Sequence, residues 1–360
     1  KESLTGGGAK RSKKIAPGVA VPSSAYYRDY TDMIKAFPED DKPSYFGLPA
    51  NIERSAQRII SAQVVAQLKI LRRLDATAVK FDMDRWNTEL GPILNLWKKL
   101  NQGSQLIQLK LQPPSEKGDS SDSPVTSFIQ LERYNAVMLV QFVHSTLAAL
   151  SKVIRGTTLL TSEVQRMAAS LLKQETPMDW LSKWDGPEDP IQYLRTLVAR
   201  TMAIQGWVQK AESRSLLGET LDLSELFHPD TFLNALRQQT ARDMKTSMDS
   251  LKFVSTWGSG ISGAKHQVKV GGLQLEGCTF DGSRLSENQR DSPSVCTIPT
   301  CLVAWVLKDA AEPYSAQDSI SLPVYYSADR EKIVTHLSVP CGGEQSHWVQ
   351  TGAALFLKSL

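Results

Sequence analysis

The sequence predicts an α+β protein in which an N-terminal α-helical array is followed by a small antiparallel β-barrel. Up to about Trp257, apolar residues recur every three or four positions, which is the spacing of amphipathic helices. Beyond Trp257 they alternate with polar residues, as they do in half-buried strands. The chain has 360 residues, which is long enough for two or three domains with separate cores.

The chain begins with a segment that is predicted not to fold. Residues 1–25 contain a cluster of Lys and Arg around Gly6, Gly7 and Gly8, which indicates a flexible basic linker or a remnant of a cloning vector. A functional basic arm is the alternative, because clustered positive charge also occurs in interaction tails.

Residues 26–112 are predicted to be a helical segment. A first helix is expected near residues 26–36, in a stretch where prolines limit the length of any helix. Apolar residues then follow a helical period at Ile60, Val64 and Leu68. The same period continues from Trp86 to Leu100, where Gly91-Pro92 is expected to divide the stretch into two helices.

A polar loop and a second group of helices are predicted next. Residues 113–126 are rich in Ser, Asp, Gly and Pro, and this composition predicts a disordered, exposed loop. Residues 127–257 are then predicted to be helical, starting with a capping box at Ser127 and Gln130 and a long helix that ends at Gly156. Further helices are expected over residues 162–174, from Asp189-Pro190 onward, and from Pro229 to about Trp257.

The last part of the sequence is predicted to contain a glycine hinge over residues 258–265 and the β-barrel over residues 266–360. Asp281-Gly282 is a tight-turn signal between alternating segments. Further strands are expected at Cys301–Lys308, Ile320–Tyr326, Ile333–Val339 and Trp348–Leu357. Several short strands without intervening helices favour an antiparallel sheet that curls into a small barrel or sandwich.

The glycine hinge matches the dinucleotide-binding pattern GxGxxG from Gly258 to Gly263, and this raises a nucleotide-dependent oxidoreductase as a hypothesis. The motif binds a pyrophosphate when a strand precedes it and a helix follows. Here a helix is predicted before the glycines and a strand after them, so a hinge is favoured. Lys265 also lies one position too late for a phosphate-binding loop. No catalytic or cofactor-binding residue is therefore predicted.

Composition indicates an ordinary soluble protein. Hydrophobic residues make up 41% and charged residues 22% of the chain, and the formal net charge is +3, which is too small to indicate a nucleic-acid partner. No apolar stretch reaches the roughly 20 residues of a membrane span, and no signal peptide is recognised, so neither membrane binding nor secretion is expected.

The four cysteines are Cys278, Cys296, Cys301 and Cys341, and none belongs to a CxxC pair. They are expected to be reduced thiols in a cytosolic protein. A zinc site that they form with His336 and His347 is an alternative, but structural zinc sites usually show close ligand pairs, so no metal site is predicted.

The most specific pattern starts at Phe227-His228-Pro229. Pro229 suits the first turn of a helix, and Asp230 complements the positive end of the helix dipole. The following Phe-Leu, Ala-Leu-Arg-Gln and Ala-Arg steps, which include Arg237 and Arg242, complete a pattern that resembles the C-terminal region of dynein heavy chains.

Other segments carry the same resemblance. Glu132-Arg133-Tyr134-Asn135 resembles the Glu-Arg-x-Asn element of that family, and the segment from Lys152 through Arg155 resembles the end of the same helix. Residues 38–51 resemble a stretch of the sixth AAA+ module, while segments near Leu273, Leu322 and Gly352 resemble strands of the terminal barrel. The segment 221–226 and Gly342-Gly343 resemble most closely the dyneins that drive retrograde intraflagellar transport.

The resemblance implies a noncatalytic cap on the AAA+ ring that modulates ATP-driven, minus-end-directed movement on microtubules. It implies that residues 26–112 end the sixth AAA+ module, and that ATP and Mg are bound upstream in the parent motor and not here. The implied partners are the upstream AAA+ ring of the same heavy chain, dynein accessory chains and, through the parent motor, the microtubule. The implied location is the cytoplasm, the cytoskeleton and the cilium. A stand-alone helical and β-barrel interaction scaffold is the alternative.

Ten residues are candidates for the interface with the ring. Trp180 and Trp184 flank a turn rich in Pro and Gly, where they could anchor a neighbouring domain or pack in the core. The others belong to the motifs that resemble the family. The full set is Glu132, Arg133, Asn135, Arg155, Trp180, Trp184, Phe227, Pro229, Arg237 and Arg242.

Overall fold

The structure is a computed structural model that describes residues 26–35, 57–65, 67–68, 81–102, 105–113, 123–287, 295–342 and 345–358. The predictions made for residues 1–25, for residues 38–51 and for most of the loop 113–126 lie outside the described residues. The α+β class is confirmed, with helices in the first part of the described residues and strands in the last. The division into domains stays a prediction.

The helices occupy most of the described residues before position 245. Residues 57–65 and 67–68 are helical. The other helices are α1 (Tyr27–Lys35), α2 (Met83–Leu100), α3 (Pro124–Ile154), α4 (Ser162–Leu172), α5 (Met178–Leu181), α6 (Pro190–Glu212), α7 (Pro229–Met244) and α8 (Gln345–Gln350). Short 3₁₀ turns lie at Leu106–Gln108, Leu216–Gly218, Leu223–Glu225 and Met248–Ser250.

Helix α3 is the centre of the helical array, and it contacts α2, α4, α6 and α7. It is the one described helix that is long and apolar enough to match a membrane span. Buried side chains line it from Val125 to Ile154, and Glu132 is buried among them. A core helix of a folded domain can be as long and as apolar as a membrane span, and the buried side chains of α3 assign it to this class.

Two helix boundaries differ from the sequence-based expectations. Helix α2 is continuous through Pro92, because Leu90, Ile93 and Trp97 are buried on one face and this packing outweighs the roughly 3 kcal/mol cost of an internal proline. Helix α3 begins at Pro124, not at Ser127. Ser123 is its N-cap and accepts a hydrogen bond from the backbone N–H of Thr126 at 3.4 Å.

Helix α7 ends at Met244, so the helix predicted to continue to Trp257 is too long. Lys245 adopts a left-handed conformation with φ 54°, and the N–H of Thr246 closes the helix on the carbonyl of Ala241 at 3.0 Å. Leu251–Thr256 then forms a strand, in which Val254 is buried. Met248 and Leu251, which continue the helical spacing in the sequence, lie in the 3₁₀ turn Met248–Ser250 and in this strand.

The strands of the β unit are β1 (Thr220–Asp222), β2 (Leu251–Thr256), β3 (Gln267–Gly271), β4 (Leu273–Glu276), β5 (Thr279–Phe280), β6 (Leu285–Ser286), β7 (Val295–Thr297), β8 (Cys301–Leu307), β9 (Ser319–Tyr325), β10 (Ile333–Pro340) and β11 (Ala354–Leu357). They form a four-stranded sheet in the order β1-β3-β8-β2, a five-stranded sheet in the order β10-β9-β11-β4-β7, and the pair β5-β6. The strands predicted at 301–308, 320–326 and 333–339 are confirmed within a residue.

The predicted antiparallel β-barrel is not confirmed, because the described strands form separate sheets and no closed barrel. Two pairings are also parallel, namely β1 with β3 and β11 with β9. Alternation of apolar and polar residues indicates strands but does not specify their partners. The segment predicted as one strand at 348–357 is instead divided between α8 and β11.

A serine side chain links the two larger sheets. The Ser255 hydroxyl on β2 accepts the backbone N–H of Ser338 on β10 at 2.8 Å and donates to the carbonyl of the same residue at 3.2 Å. Ser255 is 2% exposed. Its hydroxyl therefore satisfies the backbone of an edge strand that has no ladder partner on that side among the described strands.

We expect Ser255→Ala to lower the free energy of unfolding by about 1–3 kcal/mol, because it removes the buried hydroxyl that pairs with the N–H and the carbonyl of Ser338. Urea denaturation of the two proteins measures this difference. Ser321→Ala, on the exposed side of β9, is the matched control and should change stability by less than about 0.5 kcal/mol. Equal losses in both variants would contradict the bridging role.

Candidate functional site

The two most specific sequence motifs meet in space, although they lie far apart in the sequence. Glu132 on α3 accepts the backbone N–H of His228 through Oε1 at 2.8 Å, and its Oε2 lies 2.9 Å from Nδ1 of the His228 ring. Glu132 is 3% exposed, whereas the His228 side chain is 47% exposed. The motif at residues 132–135 and the motif at residues 227–229 thus form a single site.

The Glu132 carboxylate also completes the start of α7. His228 is the N-cap residue of that helix, and its own side chain makes no capping bond. A carboxylate at this end is favoured by the helix dipole. The hydrogen bond from Glu132 is the main cause that raises the pKa of His228, and it outweighs the opposing effect of burial.

A buried arginine lies beside this pair. Arg200 on α6 is 5% exposed. Its guanidinium faces the rings of Trp184, Phe227 and Tyr326, with centroid distances of 5.4, 5.9 and 4.9 Å. Burial lowers the pKa of Arg200 to about 10, while the carboxylates of Glu132 and Asp222 act in the opposite direction.

The sequence analysis did not identify Arg200 or Tyr326. Arg200 lies between Leu197 and Ile204 at helical spacing, so the period of α6 places it on the buried face, and this signal could have identified it. Tyr326 follows β9 directly, and its hydroxyl accepts from Nη1 of Arg200. No local sequence signal connects these two residues, because the contact depends on how the helices pack against the β unit.

Trp180 and Trp184 lie in the core of the helical array. Trp180 is fully buried and donates its indole N–H to the hydroxyl of Thr146 at 3.1 Å. Trp184 is 6% exposed and contacts the rings of Tyr193 and Phe227, at centroid distances of 4.9 Å in both cases. These side chains fill the interior between α3, α5 and α6, and their role as domain anchors stays a prediction.

The remaining interface candidates are distributed over several surfaces. Phe227 and Pro229 are buried, whereas Asn135, Arg155 and Arg242 are exposed. Arg133 donates from Nε to Oε1 of Gln205 on α6 at 2.9 Å. Arg237 donates from Nε and Nη2 to the carbonyl of Met248, at 3.0 and 2.7 Å, and lies over the ring of Trp305. An interface role for any of the ten residues stays a prediction.

One face of α3 exposes apolar side chains. Leu131 is 47% and Met138 is 44% exposed, and Asn135 lies between them on the same face. Phe142 continues this line into a groove of about 550 Å³ between α3, α4 and α5. We call Leu131, Asn135, Met138 and Phe142 the α3 stripe.

The glycine segment lies between two strands. β2 precedes it and β3 follows it, so the helix predicted before the glycines is replaced by a strand. The element that follows the glycines is also a strand, whereas a pyrophosphate would be bound by the N-terminus of a helix. The side chain of Gln267 closes the segment by accepting from the N–H of Ile261 at 3.2 Å and donating to its carbonyl at 3.3 Å.

The cysteines are free thiols in the described structure. Burial raises the pKa of Cys278 and of Cys301 to about 12, so both thiols ionise with difficulty. Within the described ranges, no group of three or more His, Cys, Asp or Glu side chains is placed to hold a metal ion.

Comparison with known proteins identifies the family. A family model for the C-terminal domain of dynein heavy chains matches residues 57–357. Cytoplasmic dynein 2 heavy chain 1 of Tripneustes gratilla is 71% identical over 359 residues, which is 100% of this chain. The human protein of the same name is 60% identical over 97% of the chain, and that of Chlamydomonas reinhardtii is 37% identical over 98%.

The chain spans only 8% of the length of these relatives, so the comparison concerns one region of much larger proteins. The family model covers most of the chain, including Glu132, Arg200, His228 and Tyr326. The resemblance predicted from the two motifs is therefore confirmed, and the protein belongs to the family of C-terminal domains of dynein heavy chains.

Proposed function

We propose that this chain is the C-terminal portion of a cytoplasmic dynein 2 heavy chain and that it acts as a noncatalytic cap on the AAA+ ring of the same heavy chain. In this role it modulates ATP-driven, minus-end-directed movement on microtubules during retrograde transport in cilia. The observation that carries the proposal is the 71% identity to cytoplasmic dynein 2 heavy chain 1 across the whole chain. This similarity supports a motor component over a stand-alone scaffold.

The proposal assigns the chemistry of the motor to other parts of the heavy chain. ATP and Mg bind to upstream modules, and the microtubule and any accessory chains are partners of the assembled motor. The helices and sheets described here contribute packing surfaces. A cap changes the movement of a ring by binding one ring conformation more tightly than another, and its effect is limited to that difference in binding free energy.

The α3 stripe is the surface that we assign to contact with the ring. Leu131 and Met138 are large apolar side chains that remain about half exposed on a helix whose opposite face is buried in the core. Contiguous exposed apolar surface with a polar rim marks protein interaction sites, and we assign that role to the stripe. Asn135 supplies a polar group between them.

We expect the double variant Leu131→Ser and Met138→Ser, in the full heavy chain, to change microtubule gliding velocity at saturating ATP by about twofold or more. Each lost interface contact of about 1 kcal/mol shifts a two-state equilibrium several-fold. Gliding assays and microtubule-stimulated ATP hydrolysis measure the effect.

The matched control is Ile191→Ser with Met202→Ser, which removes the same kind of side chain from the exposed face of α6. An unchanged velocity in the α3 variant, or an equal change in the α6 control, would contradict the assignment of the stripe. ATP turnover by the isolated protein that disappears on mutation within it would contradict the noncatalytic role.

A further inference from the structure

The peptide group between Phe227 and His228 is hydrogen-bonded on both sides. Its N–H donates to Oε1 of Glu132 at 2.8 Å, and its carbonyl accepts from the hydroxyl of Tyr326 at 3.4 Å. The same Tyr326 oxygen accepts from Nη1 of Arg200. One peptide unit therefore connects a carboxylate of the helical array to the start of the loop between β9 and β10. Hydrogen bonds arranged in series in this way polarise and strengthen one another.

The solvent-exposed end of this series is the His228 ring. Nδ1 of His228 lies 2.9 Å from Oε2 of Glu132, and the side chain is half exposed, so the ring can exchange protons with solvent. The other charged groups that act on it are Asp230 on α7, which favours the protonated ring, and Lys332 in the β9–β10 loop, which disfavours it. Arg200 on α6 also interacts electrostatically with this carboxylate.

We propose that His228 is a proton-operated latch. Its protonated ring fixes Glu132 in the position where the Phe227–His228 peptide accepts the hydrogen bond of the Tyr326 hydroxyl. Deprotonation of the ring weakens this contact between the helices and the β9–β10 loop. When the ring is protonated, the contact between His228 and Glu132 joins two opposite charges; when the ring is neutral, only the Glu132 carboxylate is charged and the Coulomb attraction between the two groups is lost. Buried Nε of Arg200 makes no hydrogen bond within the described part of the protein. Arg200 and Glu132 carry opposite charges and attract each other, so Arg200 still acts on the carboxylate once the His228 ring is neutral.

The direction of the pH effect follows from the hydrogen bond with Glu132. Since that bond raises the pKa of His228 in the folded protein, the stabilisation is complete below the ordinary histidine pKa of about 6.5. It is lost as the pH rises through the higher pKa of the folded state. The latch is closed at low pH and open at high pH.

Hydrogen exchange of residues 326–333 in the whole protein tests the proposal, with the data corrected for the intrinsic pH dependence of exchange. We expect the protection of this segment in the wild type to fall several-fold between about pH 5.5 and about pH 8.5, the range in which histidine titrates. His228→Gln should show low protection throughout and no such fall. His347→Gln removes another histidine that pairs with a carboxylate, at 3.2 Å from Glu287, and should behave as the wild type.

Protection that does not depend on pH in the wild type, or an equal fall in His228→Gln, would overturn the latch. Should His228→Gln not fold, Tyr326→Phe provides the second test, because it removes the hydroxyl that connects the peptide to the loop. In this variant the His228 ring should still titrate, as followed by NMR, while protection of residues 326–333 becomes independent of pH. A pH-dependent fall that persists in Tyr326→Phe overturns the proposal as well.

Discussion

Trp180→Ala is expected to lower the free energy of unfolding by about 3–5 kcal/mol, which is the range measured when a buried tryptophan is truncated. The side chain is 0% exposed, packs on the ring of Tyr193 at a centroid distance of 5.7 Å and donates its N–H to Thr146. Truncation leaves a cavity at the junction of α3, α5 and α6, and it also leaves the Thr146 hydroxyl without this donor. Chemical denaturation monitored by circular dichroism measures the loss.

The prediction distinguishes a core residue from an interface anchor. Met178 lies two residues away on the same short helix but is 70% exposed, so Met178→Ala should change stability by less than about 0.5 kcal/mol. An anchor for another domain would give the opposite pattern, with little loss of stability in the isolated protein. If Trp180→Ala were as stable as Met178→Ala, the packing described here would be wrong.

Glu132→Gln is expected to lower the free energy of unfolding by about 3 kcal/mol at neutral pH. The variant keeps the shape of the side chain but removes the charge that pairs with His228 and that offsets the burial of Arg200. Breaking a buried pair typically costs about 3–5 kcal/mol, and the lower end applies because water screens the half-exposed His228 ring.

Thermal and urea unfolding at several pH values measure this loss. Glu212→Gln, which replaces an exposed glutamate at the end of α6, is the control and should have almost no effect. The loss in Glu132→Gln should become smaller as the pH rises and His228 loses its charge. A loss that is constant across pH would show that the charge of His228 contributes nothing to the pair.

The sequence predicted the elements whose signals are local. Asp189 with Pro190 identified the start of α6, where the Asp189 carboxylate accepts the N–H of Gln192 at 2.8 Å. Two helix-start signals lie close together at the start of α3, namely Ser123-Pro124 and the capping box at Ser127. The helix begins at the first of them. Helical spacing in α2 was correct, but the effect of Pro92 was overestimated, because propensity does not include the burial of Trp86 and Trp97.

Contacts between distant segments could not be predicted in this way. The family pattern drew attention to Glu132 and to Phe227-His228 separately, but only the fold places the carboxylate at 2.8 Å from the His228 N–H. Arg200 was not identified, because charged residues are seldom fully buried and the expectation for such a residue is exposure. The barrel was predicted from alternating segments without intervening helices and from the family resemblance, and these signals did not reveal the parallel pairs β1 with β3 and β11 with β9.

The strand order of the four-stranded sheet limits how the protein can be divided. Its two outer strands, β1 and β2, precede the glycine segment, whereas β3 and β8 in the middle follow it. A recombinant piece that starts at residue 266 would therefore present unpaired backbone along both margins of this sheet, and such margins recruit other polypeptides into aggregates. Expression of the β unit for biophysical work should thus start upstream of Thr220 and retain α7 together with both outer strands.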